Sequence, residues 1–126
     1  MLGWEVIVYR LADGGSSPAK PESARGNKIA SWLTAMDGLN WIDALVGSGK
    51  AFGLGGNGYP LAFTATAEDL IPRFIQGPPQ ALETFYLCEG ISALAISDSE
   101  ETVSGLVESV GCRMGEWLLI HAWDQS

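Results

Sequence analysis

Gly47-Ser48-Gly49-Lys50-Ala51-Phe52-Gly53-Leu54-Gly55-Gly56-Asn57-Gly58 is the stretch on which the choice of fold turns. As a phosphate cradle it would make the chain a nucleotide-binding α/β protein. As a turn between strands it makes the chain an antiparallel one. A phosphate loop runs Gly, four residues, Gly-Lys, then Ser or Thr; here Ala44 holds the first position and Ala51 the last. Gly53, Gly55 and Gly58 satisfy G-x-G-x-x-G, but a dinucleotide site needs a strand before that run and a helix opening inside it. Tyr59-Pro60 and a β-like run to Thr66 follow instead. The glycines therefore predict a hairpin. Lys50 to Leu54 runs out, Gly55 to Gly58 supplies the turn chemistry with Asn57-Gly58 as its hairpin signal, and Tyr59 to Thr66 returns, with Pro60 at the strand start or on an edge.

Upstream, Gly3 to Leu11 reads as a strand, with Trp4, Val6 and Val8 alternating with Glu5, Ile7 and Tyr9. Both faces are largely apolar, which predicts a central position. Residues 12 to 27 form a polar loop, long enough to be either mobile or functional. Lys28 to Met36 reads as a helix, because Ile29, Trp32, Leu33 and Met36 fall at i, i+3, i+4 and i+7. Gly38 is expected to end it in the left-handed conformation, and Asn40 to cap a second helix, Trp41 to Val46.

Downstream, Thr66 and Asp69 mark a helix start, and Pro72 limits that helix to one or two turns. Residues 82 to 97 fit either two strands or a helix followed by a strand. Ser97 to Gly111 reads as a helix, with Ser97 and Glu100 as a capping box and Val103, Leu106, Val107 and Val110 as its apolar stripe. Glu116 to Trp123 is a last strand. These elements do not alternate regularly, so the expected fold is α+β: one domain over residues 1–126, a mostly antiparallel sheet with helices packed against it.

The chain has 126 residues, 47% of them hydrophobic and 17% charged, which suits a single globular domain. No apolar run approaches the roughly 20 residues of a membrane span. The N-terminal residues lack a secretory pattern, which predicts a cytoplasmic location. Cys88 and Cys112 read as small buried hydrophobes in a reducing compartment. Net charge is −8, and all of it lies in residues 64–126, where ten acidic side chains face Arg73 and Arg113. Such a half repels phosphate backbones and attracts a basic protein.

His121, the single histidine, shares a strand face with Trp117, Leu119 and Trp123. Neither an oriented partner for it nor a serine elbow is visible, so no catalytic residue, metal or cofactor is expected. Glu68-Asp69 and Glu100-Glu101 fall in first turns of predicted helices, where they complement the dipole and also extend an acidic surface. Glu101 and Glu108 face away from the Val103–Val110 stripe. Trp41 and Trp123 lie near element ends and are candidates for partial exposure, as interface anchors would be.

Gly38-Leu39-Asn40-Trp41-Ile42-Asp43 and Gly55-Gly56-Asn57-Gly58-Tyr59-Pro60, in a small acidic chain, resemble the immunity proteins of bacterial polymorphic toxins, including contact-dependent inhibition, type VI and Rhs systems. The resemblance covers the middle third of the chain. It implies a cytosolic protein that binds and neutralises a cognate toxin, often a basic nuclease. The expected binding residues are Glu68, Asp69, Glu100, Glu101 and Glu108, with Asn57, Tyr59 and Trp41; neither nucleic acid nor membrane is an expected direct partner. The alternative is a small enzyme or ligand-binding domain using the Gly53–Gly58 hairpin with His121 or a cysteine.

Overall fold

A computed structural model describes residues 3–58, 60–74, 86–87, 107 and 110–125. In chain order the elements are β1 (Gly3–Leu11), β2 (Arg25–Ala35), α1 (Asn40–Gly47), β3 (Ala51–Gly55), β4 (Leu61–Thr66), α2 (Ala67–Phe74), β5 (Tyr86–Leu87) and β6 (Trp117–Asp124). The strands form one six-stranded sheet in the order β3-β4-β6-β1-β2-β5, and every pairing is antiparallel. The α+β class and the antiparallel sheet are as the sequence predicts. So is the central place of β1, which pairs with β2 on one side and β6 on the other.

Directly paired residues share a face, so the register sorts the sheet into two sides. One side carries Val6 and Val8, with Ala30, Trp32, Phe63, Ala65, Leu118, Ile120 and Ala122, all buried. Ile42 and Leu45 of α1 and Leu70 and Ile71 of α2 join them in one core, as do Val107, Val110 and Cys112.

Residues 28–36 correct the helix expected there: Arg25–Ala35 is β2. Val8 pairs with Ala30 but Tyr9 with Lys28, so Ile29 is the extra residue of a β-bulge. The bulge lets Ile29 and Trp32 both be buried at a spacing that plain alternation forbids, and this mimics a helical stripe. Met36, which a helix would have buried, is 62% exposed. Gly38 is likewise not left-handed. It is glycine for space, because a Cβ there would sit 1.8 Å from Thr34 Oγ1.

α1 forms where expected, although Leu39 rather than Asn40 is its N-cap and no side chain caps it. It ends in a Schellman motif: the Gly49 N–H donates to the Val46 carbonyl and the Lys50 N–H to the Leu45 carbonyl, with Gly49 at φ +81°. At the other helix, the Thr66 hydroxyl donates to Asp69 Oδ2 at 3.0 Å. The first amides of α2, Ala67 and Glu68, donate to the carbonyls of Glu116 and Met114. Helix α2 spans eight residues with Pro72 inside it, within the length expected.

The hairpin of β3 and β4 is present, and its connection is residues 56–60 rather than the 55–58 expected. Gly56 crowds against the Pro60 carbonyl, and the Gly58 carbonyl accepts from Asp124 N–H at 2.8 Å. The connection is thus built to meet the end of β6. The helix expected over residues 97–111 lies outside the described residues except near its end. There Val107 is helical and buried, the Cys112 N–H donates to its carbonyl, and Gly111 is left-handed as expected.

Candidate binding surface

The second side of the sheet carries the alternate residues of the same strands: Glu5, Ile7 and Tyr9 of β1, and Trp117, Leu119, His121 and Trp123 of β6. Leu33, Ser31 and Lys28 extend it along β2, and Ala62, Thr64 and Phe52 across β4 and β3. No helix among the described residues packs on it. One end is covered by the 12–24 segment, whose Ala19 packs with Leu11 and Leu119.

That segment is pinned to the sheet by hydrogen bonds. Asp13 Oδ1 accepts from Gly15 N–H at 3.0 Å, and the Gly15 carbonyl accepts from Trp117 N–H at 2.8 Å. Gly15 lies at φ +72°, and a Cβ there would come within 2.5 Å of the Trp117 carbonyl. Further along, the Ala19 N–H donates to Thr64 Oγ1, whose hydroxyl donates to the Leu118 carbonyl. Beneath this, Glu116 has a fully buried side chain. It accepts from Arg10 Nε at 2.7 Å, from Arg10 Nη2 at 3.1 Å and from the Arg113 N–H at 3.2 Å. Arg113 also donates to the Gly14 carbonyl, so one carboxylate holds the 113–116 turn that receives both α2 and the 12–24 segment.

Beyond that cover, the surface is aromatic. The Tyr9 and His121 rings meet edge-on with centroids 5.4 Å apart, and His121 meets Trp123 in the same way at 6.3 Å. The Arg25 guanidinium stands 5.3 Å from the Tyr9 ring centre. Phe52, 46% exposed, stacks with Trp117 at 5.9 Å. Across the strands, Gly55, Ala62, His121, Ile7 and Ser31 form one row. Gly55, Ala62 and Ser31 put small residues in that row on either side of His121 and Ile7. Burial, and secondly the positive charge of Arg25, hold the His121 pKa below the usual 6.5, so its imidazole is neutral at neutral pH. Its Nδ1 is buried and finds no hydrogen-bond partner among the described residues.

Comparison with family models, with curated proteins and with solved structures returns no match. The reading of this surface therefore rests on its own geometry.

The residues expected to bind a partner do not converge. Glu68 and Asp69 open α2 beside the start of β6, and Asn57 lies in the connection that meets the end of β6. Eight residues of β6 separate the two places, roughly 23 Å at 3.3 Å per residue. Trp41 is half-buried on the helix side, stacked on Trp32 with centroids 6.5 Å apart. Glu100, Glu101, Glu108 and Tyr59 lie outside the described residues, as does Cys88. Cys112 belongs to the core under the helices, whereas His121 is on the other side of the sheet. Sequence reasoning missed Ile7, Tyr9, Arg25 and Phe52. A signal for two of them lies in the alternation: pairing the Glu5–Ile7–Tyr9 face with the Trp117–Trp123 face gathers Ile7 and Tyr9 into one aromatic surface.

Proposed function

We propose that the protein is a non-catalytic protein-binding module, a toxin-neutralising immunity protein of the cytosol whose partner docks on the aromatic side of its sheet. The observation that carries this reading is the half-exposed line of Tyr9, His121 and Trp123, with Phe52 and Trp117 beside it. Aromatic side chains on a rigid strand framework make good anchors, because little side-chain entropy is lost when they are covered.

The net charge of −8 has a separate task. Anchors must be contiguous, but carboxylates that steer a basic partner act through the summed field and need not converge. That division of labour leaves Glu68 and Asp69, at the start of α2, free to act without meeting the aromatic line. The test is capture of the product of each adjacent gene by the tagged protein at low and at moderate salt. The expected result is a salt-sensitive complex that Trp123→Glu abolishes without unfolding the protein. Absence of affinity at low salt for either product overturns the reading.

A second reading, ligand binding over the Gly55–Ala62–His121 row, is favoured by the register that puts the glycine hairpin beside the histidine. A neutral imidazole there can accept a proton or a hydrogen bond. An adjacent-gene complex that His121→Ala leaves intact would leave this row free for such a role.

A further inference from the structure

On the helix side of the molecule, away from the aromatic surface, a cleft of about 320 Å³ opens between α1, the start of β3 and the end of α2. Trp41, Ala44, Leu45, Ser48, Lys50 and Arg73 line it, and no carboxylate does so among the described residues. The volume lies at the lower end of the range for small-molecule sites.

Its charge is unusual for this chain. Of seven basic side chains in a protein of net charge −8, two meet at one cleft. The ion pairs of Arg10 and Arg113 are made with Glu116 instead. Lys50 and Arg73 are both exposed and enter no ion pair among the described residues.

A structural purpose accounts for part of this charge. Arg73 is in the last turn of α2, and the Lys50 side chain lines the cleft just beyond the end of α1, so two helix C-termini, each worth about half a negative charge, lie near the two cations. Two cations against two such termini leave roughly one positive charge. One wall is the Trp41 ring with Ala44 and Leu45, which favours an apolar body. The Ser48 hydroxyl already donates to the Leu45 carbonyl at 3.0 Å, so it offers the cleft an acceptor.

We propose that this cleft binds a small organic monocarboxylate, with its apolar body against Trp41, Ala44 and Leu45 and its carboxylate between Lys50 and Arg73. The site is separate from the partner surface and stands or falls independently of it.

The experiment is a titration of the ¹⁵N-labelled protein with benzoate, with benzyl alcohol as the neutral counterpart of similar shape and inorganic phosphate as an anion without an apolar body. The Trp41 indole N–H and the Ser48 and Lys50 amides are the reporters. Saturable shifts are expected with benzoate, at least five-fold weaker with either control. Lys50→Gln and Arg73→Gln should each weaken benzoate at least five-fold, while Trp123→Ser leaves it unchanged. Raising salt should weaken benzoate binding to the unaltered protein, a measurement that needs no variant. The proposal is overturned if benzyl alcohol binds as well as benzoate, if the double variant Lys50→Gln/Arg73→Gln retains binding, or if no saturable shift occurs.

Discussion

The two sides of the sheet are made by the same strands in the same register, yet one is core and the other is surface. Val6, Val8 and Trp32 look toward α1 and α2 and are essentially inaccessible; Ile7, Tyr9 and Trp123, on the opposite side, are only half-buried. Both sides carry large apolar residues, although the second also holds Glu5, Lys28, Ser31, Thr64 and His121. The covering elements differ. Two amphipathic helices seal one side, and a pinned segment covers one end of the other. Among the described residues, no helix covers the rest of that second side.

The sharpest way to break this contrast is to truncate one tryptophan on each side. Trp32, 2% exposed, is predicted to cost about 3–5 kcal/mol on Trp32→Ala, as buried aromatic truncations do. Trp123→Ala should cost about 1 kcal/mol, because much of its apolar area is not removed from water by folding. Chemical denaturation of the two variants measures the difference. Equal losses would mean that the aromatic side is a second core.

A smaller effect is expected at the tie between the sides. Glu116→Ala should cost about 3 kcal/mol, because it removes the fully buried carboxylate that holds Arg10 and the Arg113 N–H and so frees the 113–116 turn. Amide exchange should speed up at Trp117, whose N–H is held by Gly15, and at Ala67, held by Glu116. A change confined to one of them would show that the turn does not couple the 12–24 segment to α2.

The smallest effect concerns His121. Its pKa is lowered in the folded protein, first by burial and then by Arg25. The unfolded chain therefore binds the proton more readily. This contribution to stability is complete above about 6.5, the unfolded value, and is lost as pH falls from there toward the lowered folded value. Denaturation between pH 7.5 and 5 should show this loss, and His121→Gln should remove it. A covered aromatic side would bury the imidazole further and steepen the dependence, so a partner that docks there should bind less well in acid.

Much of the fold is legible in the sequence because strand alternation and glycine chemistry are local. β1, α1 and β6 lie at their expected places, and the β3–β4 pairing follows from the residues themselves. β2 reads as a helix because a bulge is a property of the pairing. Ile29 is surplus only relative to Val8 and Tyr9, and nothing within residues 28–36 announces it. Gly38 shows the same limit, since its reason is a neighbour, Thr34, whose approach the strand creates. The candidate site is only half visible in the sequence. His121, Trp117 and Trp123 can be placed on one face, but Tyr9 and Arg25 join them through contacts across the sheet. The carboxylates can be judged by abundance but not by position.

β6 occupies the middle of the sheet although it follows every other described strand along the chain, and Ala122 pairs with Val6 across 115 intervening positions. β1 with β2, and β3 with β4, can each form from near neighbours; in the sheet the two pairs are joined through residues 117–124. Pairings of such sequence separation carry the largest loop-closure cost and are expected to form late. Until they do, the inner edges of β1 and β4 are unpaired and sticky, so the aromatic surface exists only in molecules that have completed the search. A partner that reads it selects finished protein over unfinished chains.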